Sequence, residues 1–384
     1  MTAPERIAVV RLSSVGDVIF ALPALETLRA HRPHAHIAWI VEDRAADLLT
    51  DHPALDEIIV MPRRSWREAR RRGASRLDIA RRMRRFGREL RARRFDTVFD
   101  FQGNLKSGLV TRSTGAKMRL GFHRRDCREP NWLFTNRRLP PMERVLHRVE
   151  RDLLLLTLAG IPWEYRRPRL SLPDTMRSEV RDLTKSLPGE GPLIILNPGT
   201  SAWFPSKRWP VASWAALADR LQGGRPLRVG LNLGPDEVEM GRAIQDLAAR
   251  PLHALPVLPD MRRVACLMDE ADLVIGGDTG PVHLASALGR KVLALFGPYD
   301  PRLYHPYQHP ERALYHALPC SPCRYRSCPG RQCMAAITPE EVFARAVALL
   351  NDEDLIAPLP RPRPAIQVSE PRSSLPRLSW AGIG

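Results

Sequence analysis

The stretch Leu273-Val274-Ile275-Gly276-Gly277-Asp278-Thr279-Gly280-Pro281-Val282-His283-Leu284 decides the fold of this chain. A short apolar run ends in two glycines, followed by a carboxylate, a hydroxyl, a third glycine and a proline. Apolar residues at helical spacing (Val282, Leu284, Ala285, Ala287, Leu288) come next. That order predicts a buried strand, a tight turn and the first turn of a helix. Helix N-termini present unpaired N–H groups and the positive end of the helix dipole, so they suit phosphate. Glycine lets a ligand approach the backbone, and Asp278 or Thr279 can cap the helix while facing a ribose or sugar hydroxyl. Taken alone, the segment reads equally well as a capped helix with no ligand.

The same rhythm recurs along the chain in two sets. The first holds strand-like runs at 7–12, 36–41, 57–61 and 97–100, with a helical pattern from Asp17 to about His31. The second follows a polar stretch, Ser178 to Gly191, with runs at 192–197, 227–232, 271–275 and 291–296. Strands alternating with helices imply mostly parallel sheets covered on both faces. The expected fold class is therefore α/β, with two Rossmann-like doubly wound domains, 1–177 and 178–354, facing an interdomain cleft. Ligands of such sheets sit at the carboxyl ends of the strands, where the turns after Leu12 and Ile275 lie. A helix is expected over 339–350, with Thr338 as N-cap, Pro339 at N1 and Glu341 completing a capping box. Residues 355–384 are rich in proline, arginine and serine and are expected to be disordered.

A chain of 384 residues that is 44% hydrophobic and 26% charged has the composition of a globular protein with room for two cores. No apolar run approaches the roughly 20 residues of a membrane span, and the first residues do not resemble a signal peptide, so a cytoplasmic location is expected. The net charge of +17 suggests an anionic partner: nucleic acid, an anionic membrane leaflet or a phosphorylated glycolipid. Much of the excess lies between Arg63 and Arg94, where Ile79, Met83, Phe86 and Leu90 mark an apolar helical stripe. Its plainest reading is a solvated helix. No aromatic interleaving, zinc-finger spacing or recognition-helix signature accompanies it, so no nucleic-acid partner is expected. Cys320, Cys323, Cys328 and Cys333 are spaced so that four thiolates could hold a structural zinc; Cys127 and Cys266 read as isolated thiols.

Two further segments carry chemistry. The first strand opens into Arg11-Leu12-Ser13-Ser14-Val15-Gly16-Asp17. A carboxylate at a helix start stays ionised, and Asp17 can act as general base if a substrate hydroxyl comes within hydrogen-bond reach; otherwise it only complements the helix dipole. The second half supplies Asn197-Pro198-Gly199-Thr200 and Lys207-Arg208-Trp209-Pro210. A cation there would offset the charge of a departing diphosphate, or lie on the surface.

With Asp100-Phe101-Gln102-Gly103-Asn104-Leu105-Lys106-Ser107, His147-Arg148-Val149-Glu150-Arg151 and Phe296-Gly297-Pro298-Tyr299-Asp300-Pro301, these segments resemble glycosyltransferase family 9, the bacterial heptosyltransferases of the lipopolysaccharide inner core. The likeness runs in order from residue 6 to about 350 and departs at Arg11, where many relatives carry lysine. It implies a GT-B architecture, an N-terminal acceptor domain, a C-terminal nucleotide-sugar domain, and inverting transfer from ADP-heptose with no required cofactor. Carried over, Asp17 is the base and Lys207 stabilises the leaving diphosphate. Thr200, Asp278, Thr279 and Gly280 serve the donor, with Glu237 or Glu239 at the ribose. His283 reads first as structural and stands with the donor-side residues. Ser14, Gly16, Lys106, Arg128 and Arg151 serve the acceptor, a lipid A–core oligosaccharide met at the anionic inner leaflet. The competing readings are a same-family transferase with another donor or acceptor, and a non-catalytic nucleotide-sugar-binding protein. A nicotinamide dehydrogenase is disfavoured, because no Gly-x-Gly-x-x-Gly turn follows the first strand.

Overall fold

The computed structural model describes residues 4–355, apart from 128, 202, 203, 225, 324, 329 and 354. The expected tail lies outside the described residues except for Leu355. Strands β1 (Arg6–Val10), β2 (His36–Glu42), β3 (Glu57–Met61), β4 (Thr97–Asp100), β5 (Met118–Gly121) and β6 (Arg137–Arg138) form one sheet in the order 3-2-1-4-5-6. A second sheet comprises β7 (Leu193–Asn197), β8 (Arg228–Leu231), β9 (His253–Ala254), β10 (Leu273–Gly277), β11 (Lys291–Phe296) and β12 (Ala313–Tyr315). Its order, β9-β8-β7-β10-β11-β12, repeats the first. All pairings are parallel. Each sheet is a doubly wound unit whose strand order reverses beside its first strand, between β1 and β4 and between β7 and β10. A crevice opens at such a switch point, outside the carboxyl ends.

The first half carries helices α1 (Val15–His31), α2 (Arg63–Arg71), α3 (Arg76–Ala92), α4 (Leu105–Ser113) and α5 (Arg148–Leu156). The second carries α6 (Asp174–Lys185), α7 (Val211–Gly224), α8 (Val238–Leu247), α9 (Met261–Glu270), α10 (Gly280–Leu288), α11 (Pro301–Tyr304), α12 (Gln332–Ala335) and α13 (Pro339–Leu350). The expected polar stretch from Ser178 begins inside α6, which buries Val180 and Thr184 and packs on α9. Residues 177 and 178, the expected domain boundary, both lie within that helix. At α13 the Thr338 hydroxyl accepts from the Glu341 N–H at 3.2 Å, as the sequence predicts.

Helix α1 is apolar nearly all round, and every residue from Gly16 to Leu28 except Asp17 is buried. Such a helix belongs in an interior. It packs on α5 within its own half and on α10 of the other, so one apolar cluster runs through both halves. The expected stripe on α3 is only partly covered. Leu90 is buried and the Phe86 ring meets Trp66 at 5.9 Å, whereas Met83 is half exposed. The cause is that α2 and α3 form a peripheral hairpin that packs on itself and on α4, with no buried residue in α2. Among the described residues no helix is long and apolar enough to cross a membrane.

Leu25, completely buried in α1, touches the core that both halves share. Leu25→Ala should lower unfolding stability in urea by about 2–5 kcal/mol. A smaller loss would mean that the cluster is loosely packed.

Candidate functional site

The first-half switch point is built from the loops after β1 and β4. Asp17 enters the first turn of α1, where Ser14 holds it: the Ser14 N–H and hydroxyl donate to Asp17 Oδ2 at 3.1 and 2.9 Å. Arg11 Nη2 donates to Oδ1 at 2.6 Å, and Arg11 Nη1 donates to the Phe101 carbonyl. Burial raises the Asp17 carboxyl, but Arg11, Arg148 and the Ser14 bonds outweigh it and hold the group below the usual carboxylate range. The Asp17 side chain is still 29% exposed, so its carboxylate is reachable. Behind it, Gln102 Oε1 accepts from the Leu12 and Ser13 N–H groups at 2.7 and 3.3 Å, fastening the two loops together. Buried Asp100 holds the Gln102 loop in turn, accepting from the Gln102 and Gly103 N–H groups, Thr111 and Asn131.

The second-half switch point lies after β7 and β10. Gly276 pairs with Asn197, and a Cβ at Gly276 would fall 2.9 Å from the Asn197 carbonyl, so only glycine fits there. Thr279 takes the N-cap position of α10, yet its hydroxyl accepts from Asn197 Nδ2 at 3.2 Å and makes no cap bond. Thr279, one of the two caps the sequence offers, thus bonds elsewhere, and the helix start has N–H groups suited to a ligand. Asp278 is paired on both oxygens, with Lys207 Nζ on Oδ2 at 2.5 Å and His283 Nε2 on Oδ1 at 2.8 Å. Burial opposes its charge, but Lys207 and His283 overcome this and hold Asp278 far below the carboxylate range. Burial lowers Lys207, and Asp278 more than restores it, so the ammonium keeps its proton. It also lies 3.7 Å from the centre of the Tyr299 ring, a cation–π contact.

The two switch points face one another. A Cβ added at Gly16 would come 3.1 Å from the His283 ring, and one at Gly280 would come 3.0 Å from Val15. Phe20 packs tilted against the His283 ring at 4.5 Å and meets His147 edge-on at 5.2 Å. His147 Nε2 donates to the His305 carbonyl at 3.0 Å, across the same seam. Burial and the neighbouring His305 hold His147 well below its usual value, so it is a neutral hydrogen-bond donor.

A carboxylate on one doubly wound half and a held lysine on the other, flanking an open helix N-terminus, invite comparison with known enzymes. The model of glycosyltransferase family 9 (heptosyltransferase) matches residues 83–333. Lipopolysaccharide heptosyltransferase 1 of Pseudomonas aeruginosa is 32% identical over 84% of this chain and 87% of its own. The E. coli heptosyltransferase WaaC with ADP superposes with a TM-score of 0.68 at 26% identity, covering 90% of this chain and 99% of that one. Its structure with ADP-2-deoxy-2-fluoro heptose gives 0.66 at the same identity, covering 89% and 99%. This chain belongs to glycosyltransferase family 9. It is a glycosyltransferase with the GT-B fold of that family's solved structures.

The other residues expected from the sequence have varied surroundings. Glu237 lies against Gly199, where any side chain would overlap its carboxylate, and accepts from the Gly234 N–H at 2.7 Å. Burial pushes Glu237 up. Glu239 is 86% exposed on α8 and pairs with Arg242. Thr200 is buried, with its hydroxyl 3.4 Å from the Phe204 carbonyl. Lys106 pairs with Glu42, which also binds Arg63 at 2.8 Å. Arg128 lies outside the described residues. Arg151 is buried over the Phe122 ring at 3.7 Å, and burial with Arg148 pushes it down to about 10. Of the four loop cysteines, Cys320 and Cys323 lie near enough to Cys333 to help raise its thiol. Cys333 is buried in α12 while Cys320 is exposed, and among the described residues no three His, Cys, Asp or Glu side chains group to hold a metal.

The sequence reading missed Arg148, Gln102, Tyr299 and Asp152. Arg148 Nη2 donates to the Tyr304 hydroxyl at 2.9 Å and acts on Asp17. Asp152 is completely buried with neither oxygen hydrogen-bonded, and burial pushes it up to about 6 against the pull of Arg11, Arg151 and Arg148. The folded protein therefore binds this proton more tightly than the unfolded chain does. Its contribution to stability is complete below the ordinary aspartate value and is lost as pH rises through about 6. Relative to Asp152→Asn, the wild type should lose about 2 kcal/mol between about pH 4 and pH 7, read by urea melts. A difference that stays flat with pH would show that Asp152 titrates normally.

Proposed function

We propose that this enzyme transfers heptose from ADP-heptose to the inner core of lipopolysaccharide, to Kdo or a first heptose, with inversion at the anomeric carbon. The observation that carries this reading is the facing pair: a reachable carboxylate, Asp17, opposite Lys207 and the open start of α10. The names of the relatives and the ADP-sugar held by the E. coli structure support the choice of donor and acceptor. The acceptor is then a lipid A–core oligosaccharide reached at the cytoplasmic face of the inner membrane.

In the proposed step the acceptor hydroxyl gives its proton to Asp17 as its oxygen attacks the anomeric carbon. The bond to the ADP phosphate breaks on the opposite side, and its electron pair leaves with ADP. A carboxylate has about four lone-pair sites. Arg11 uses one on Oδ1 and the two Ser14 donors use both on Oδ2, which leaves one Oδ1 site for the proton. Charge on the departing diphosphate is met by Lys207 and the α10 N–H groups, prearranged donors of the kind that stabilise a transition state without reorganising. Asp278 and His283 hold that lysine, while Thr200 and Glu237 line the nucleotide side and Glu239 faces solvent beside it. Ser14, Gly16, Lys106, Arg128 and Arg151 shape the acceptor side.

Asp17→Asn should lower kcat by roughly 10²–10⁴-fold and leave ADP affinity within about twofold, measured by steady-state kinetics and calorimetry. Near-normal turnover in that variant would refute the assignment of the base. Because Asp17 is held below the ordinary range, its protonation should curtail kcat/KM only on the acid side of the usual aspartate range. An acid limb near pH 6 would point to another group. Lys207→Gln should cost roughly 10²–10³-fold in kcat, with a smaller change in acceptor KM. A loss confined to KM would make Lys207 a binding residue only.

A further inference from the structure

Between Arg63 and Arg94 the chain carries fifteen arginines against three carboxylates. That surplus of twelve is most of the +17 of the whole protein, and it sits on one supersecondary unit, the α2–α3 hairpin. The hairpin begins at the rim of the cleft. Helix α2 starts just after the carboxyl end of β3, where Arg63 pairs with Glu42 at the end of β2. Helix α3 returns to the far end of the sheet, where Arg93 pairs with Glu57 at the start of β3. In between, the hairpin buries little: α2 has no fully buried residue and α3 only Leu90, while Trp66 and Phe86 rest on the edge of the core and α3 lies against α4.

The arginines are sorted by face. At about 100° per residue, Arg81, Arg84, Arg85, Arg88 and Arg91 fall with Leu77 on one outward arc of α3, opposite Leu90. The two acids of α3, Asp78 and Glu89, lie on its flank. Leu77 is 55% exposed at the end of α3 nearest the hairpin turn. The neighbouring helix α4, which packs on α3 and starts at the carboxyl end of β4, exposes Leu105 and Leu109 one turn apart. A cationic face edged by exposed leucines matches the two attractions of a bilayer interface, anionic headgroups and the acyl boundary. Nucleic-acid strands would call for aromatic stacking platforms, and the hairpin's aromatic rings, Trp66 and Phe86, are turned onto each other.

We propose that the α2–α3 hairpin, with the leucine edge of α4, is a docking arm that seats the N-terminal half on an anionic lipid bilayer. The arm rises from the same rim as Asp17, so docking presents the cleft mouth to a lipid-anchored acceptor. This deepens the proposed function and rests on its reading of the acceptor.

The test is co-sedimentation of the full chain with vesicles of phosphatidylcholine containing about 30 mol% phosphatidylglycerol, against phosphatidylcholine alone. The wild type should bind the anionic vesicles and leave them in about 0.5 M NaCl. A combined R81Q, R84Q, R85Q and R88Q variant should partition on the order of 100-fold more weakly, with an unchanged melting temperature. The matching four-lysine variant should keep most of the binding, and L77S with L109S should weaken it by roughly tenfold. A control that removes equal charge from the second half, K185Q, R220Q, R242Q and R250Q, should bind within about twofold of wild type. The proposal is overturned if the glutamine variant binds as wild type does, or if the control weakens binding equally. It is also overturned if a poly(U) strand binds the arm more tightly than the vesicles and displaces them. The glutamine variant should turn over a water-soluble core oligosaccharide normally. If no core acceptor is used even by wild type while vesicle binding still depends on the arm, the acceptor reading falls and the arm stands.

Discussion

The contact between α1 and α10 is the constraint on which the rest depends. Each sheet creates a crevice at its own switch point, but a crevice in one half holds only half of a transfer reaction. Gly16 lies against the His283 ring and Gly280 against Val15, and that close seam brings the two crevices together. A side chain on either glycine would crowd the opposite half, pressing on the His283 ring or on Val15. Phe20 and His147 then fill the seam behind them, so the interface is apolar and aromatic where it is deep and ionic where it opens.

Charge at the mouth is arranged asymmetrically. Asp17 and Asp278 are both held ionised by a cation, yet their surroundings give them different work. Both oxygens of Asp278 are consumed by Lys207 and His283 in a nearly closed setting, which makes it a fixed counter-charge that positions a lysine. Asp17 keeps exposure and a spare lone pair, so it can receive a proton. Breaking a buried pair costs more than its net worth, because the remaining charge stays stranded. That rule explains why Lys207 and Asp278 act as a unit. Asp152 sits deeper among Arg11, Arg148 and Arg151, and keeps three guanidinium groups near one another without a full positive surplus.

Eight of the twelve strands were legible in the sequence: seven lie inside their sheets, and the edge strand β3 keeps a short apolar run. Strands such as β1, β4, β7 and β10 are covered on both faces and read as unbroken apolar runs. The four that were not legible, β5, β6, β9 and β12, lie toward the sheet edges. Two of them are exposed pairs, Arg137–Arg138 and His253–Ala254, whose pairing is set by neighbours and leaves no periodic trace. The site shows the same division. Asp17, Lys207 and Asp278 could be found because turn chemistry places them at strand ends. Arg148 and Arg151 sit three residues apart on α5, and only packing decides that the first acts on Asp17 while the second lies over Phe122. The four cysteines have metal-like spacing, but among the described residues they form no group of metal ligands. The fold sends Cys333 into the core beside Gly297 and leaves Cys320 outside.

The arginine surface is hard to explain as a folding device. Exposed pairs such as Arg64–Glu68, Arg81–Asp78 and Arg85–Glu89 contribute only about 0–1 kcal/mol each. Against them stand like charges at i, i+3 and i, i+4, Arg81 with Arg84 and Arg85, Arg84 with Arg88, which oppose the helix by similar amounts. What supports α3 is Ser75 capping the Asp78 N–H at 3.1 Å, Trp66 on Phe86, packing on α4, and Leu90 in the core. A helix held by so few contacts gains nothing internally from five arginines on its outer arc. Their repulsion is relieved only when an external anion lies against that arc, so the charge is best understood as facing a partner rather than the fold.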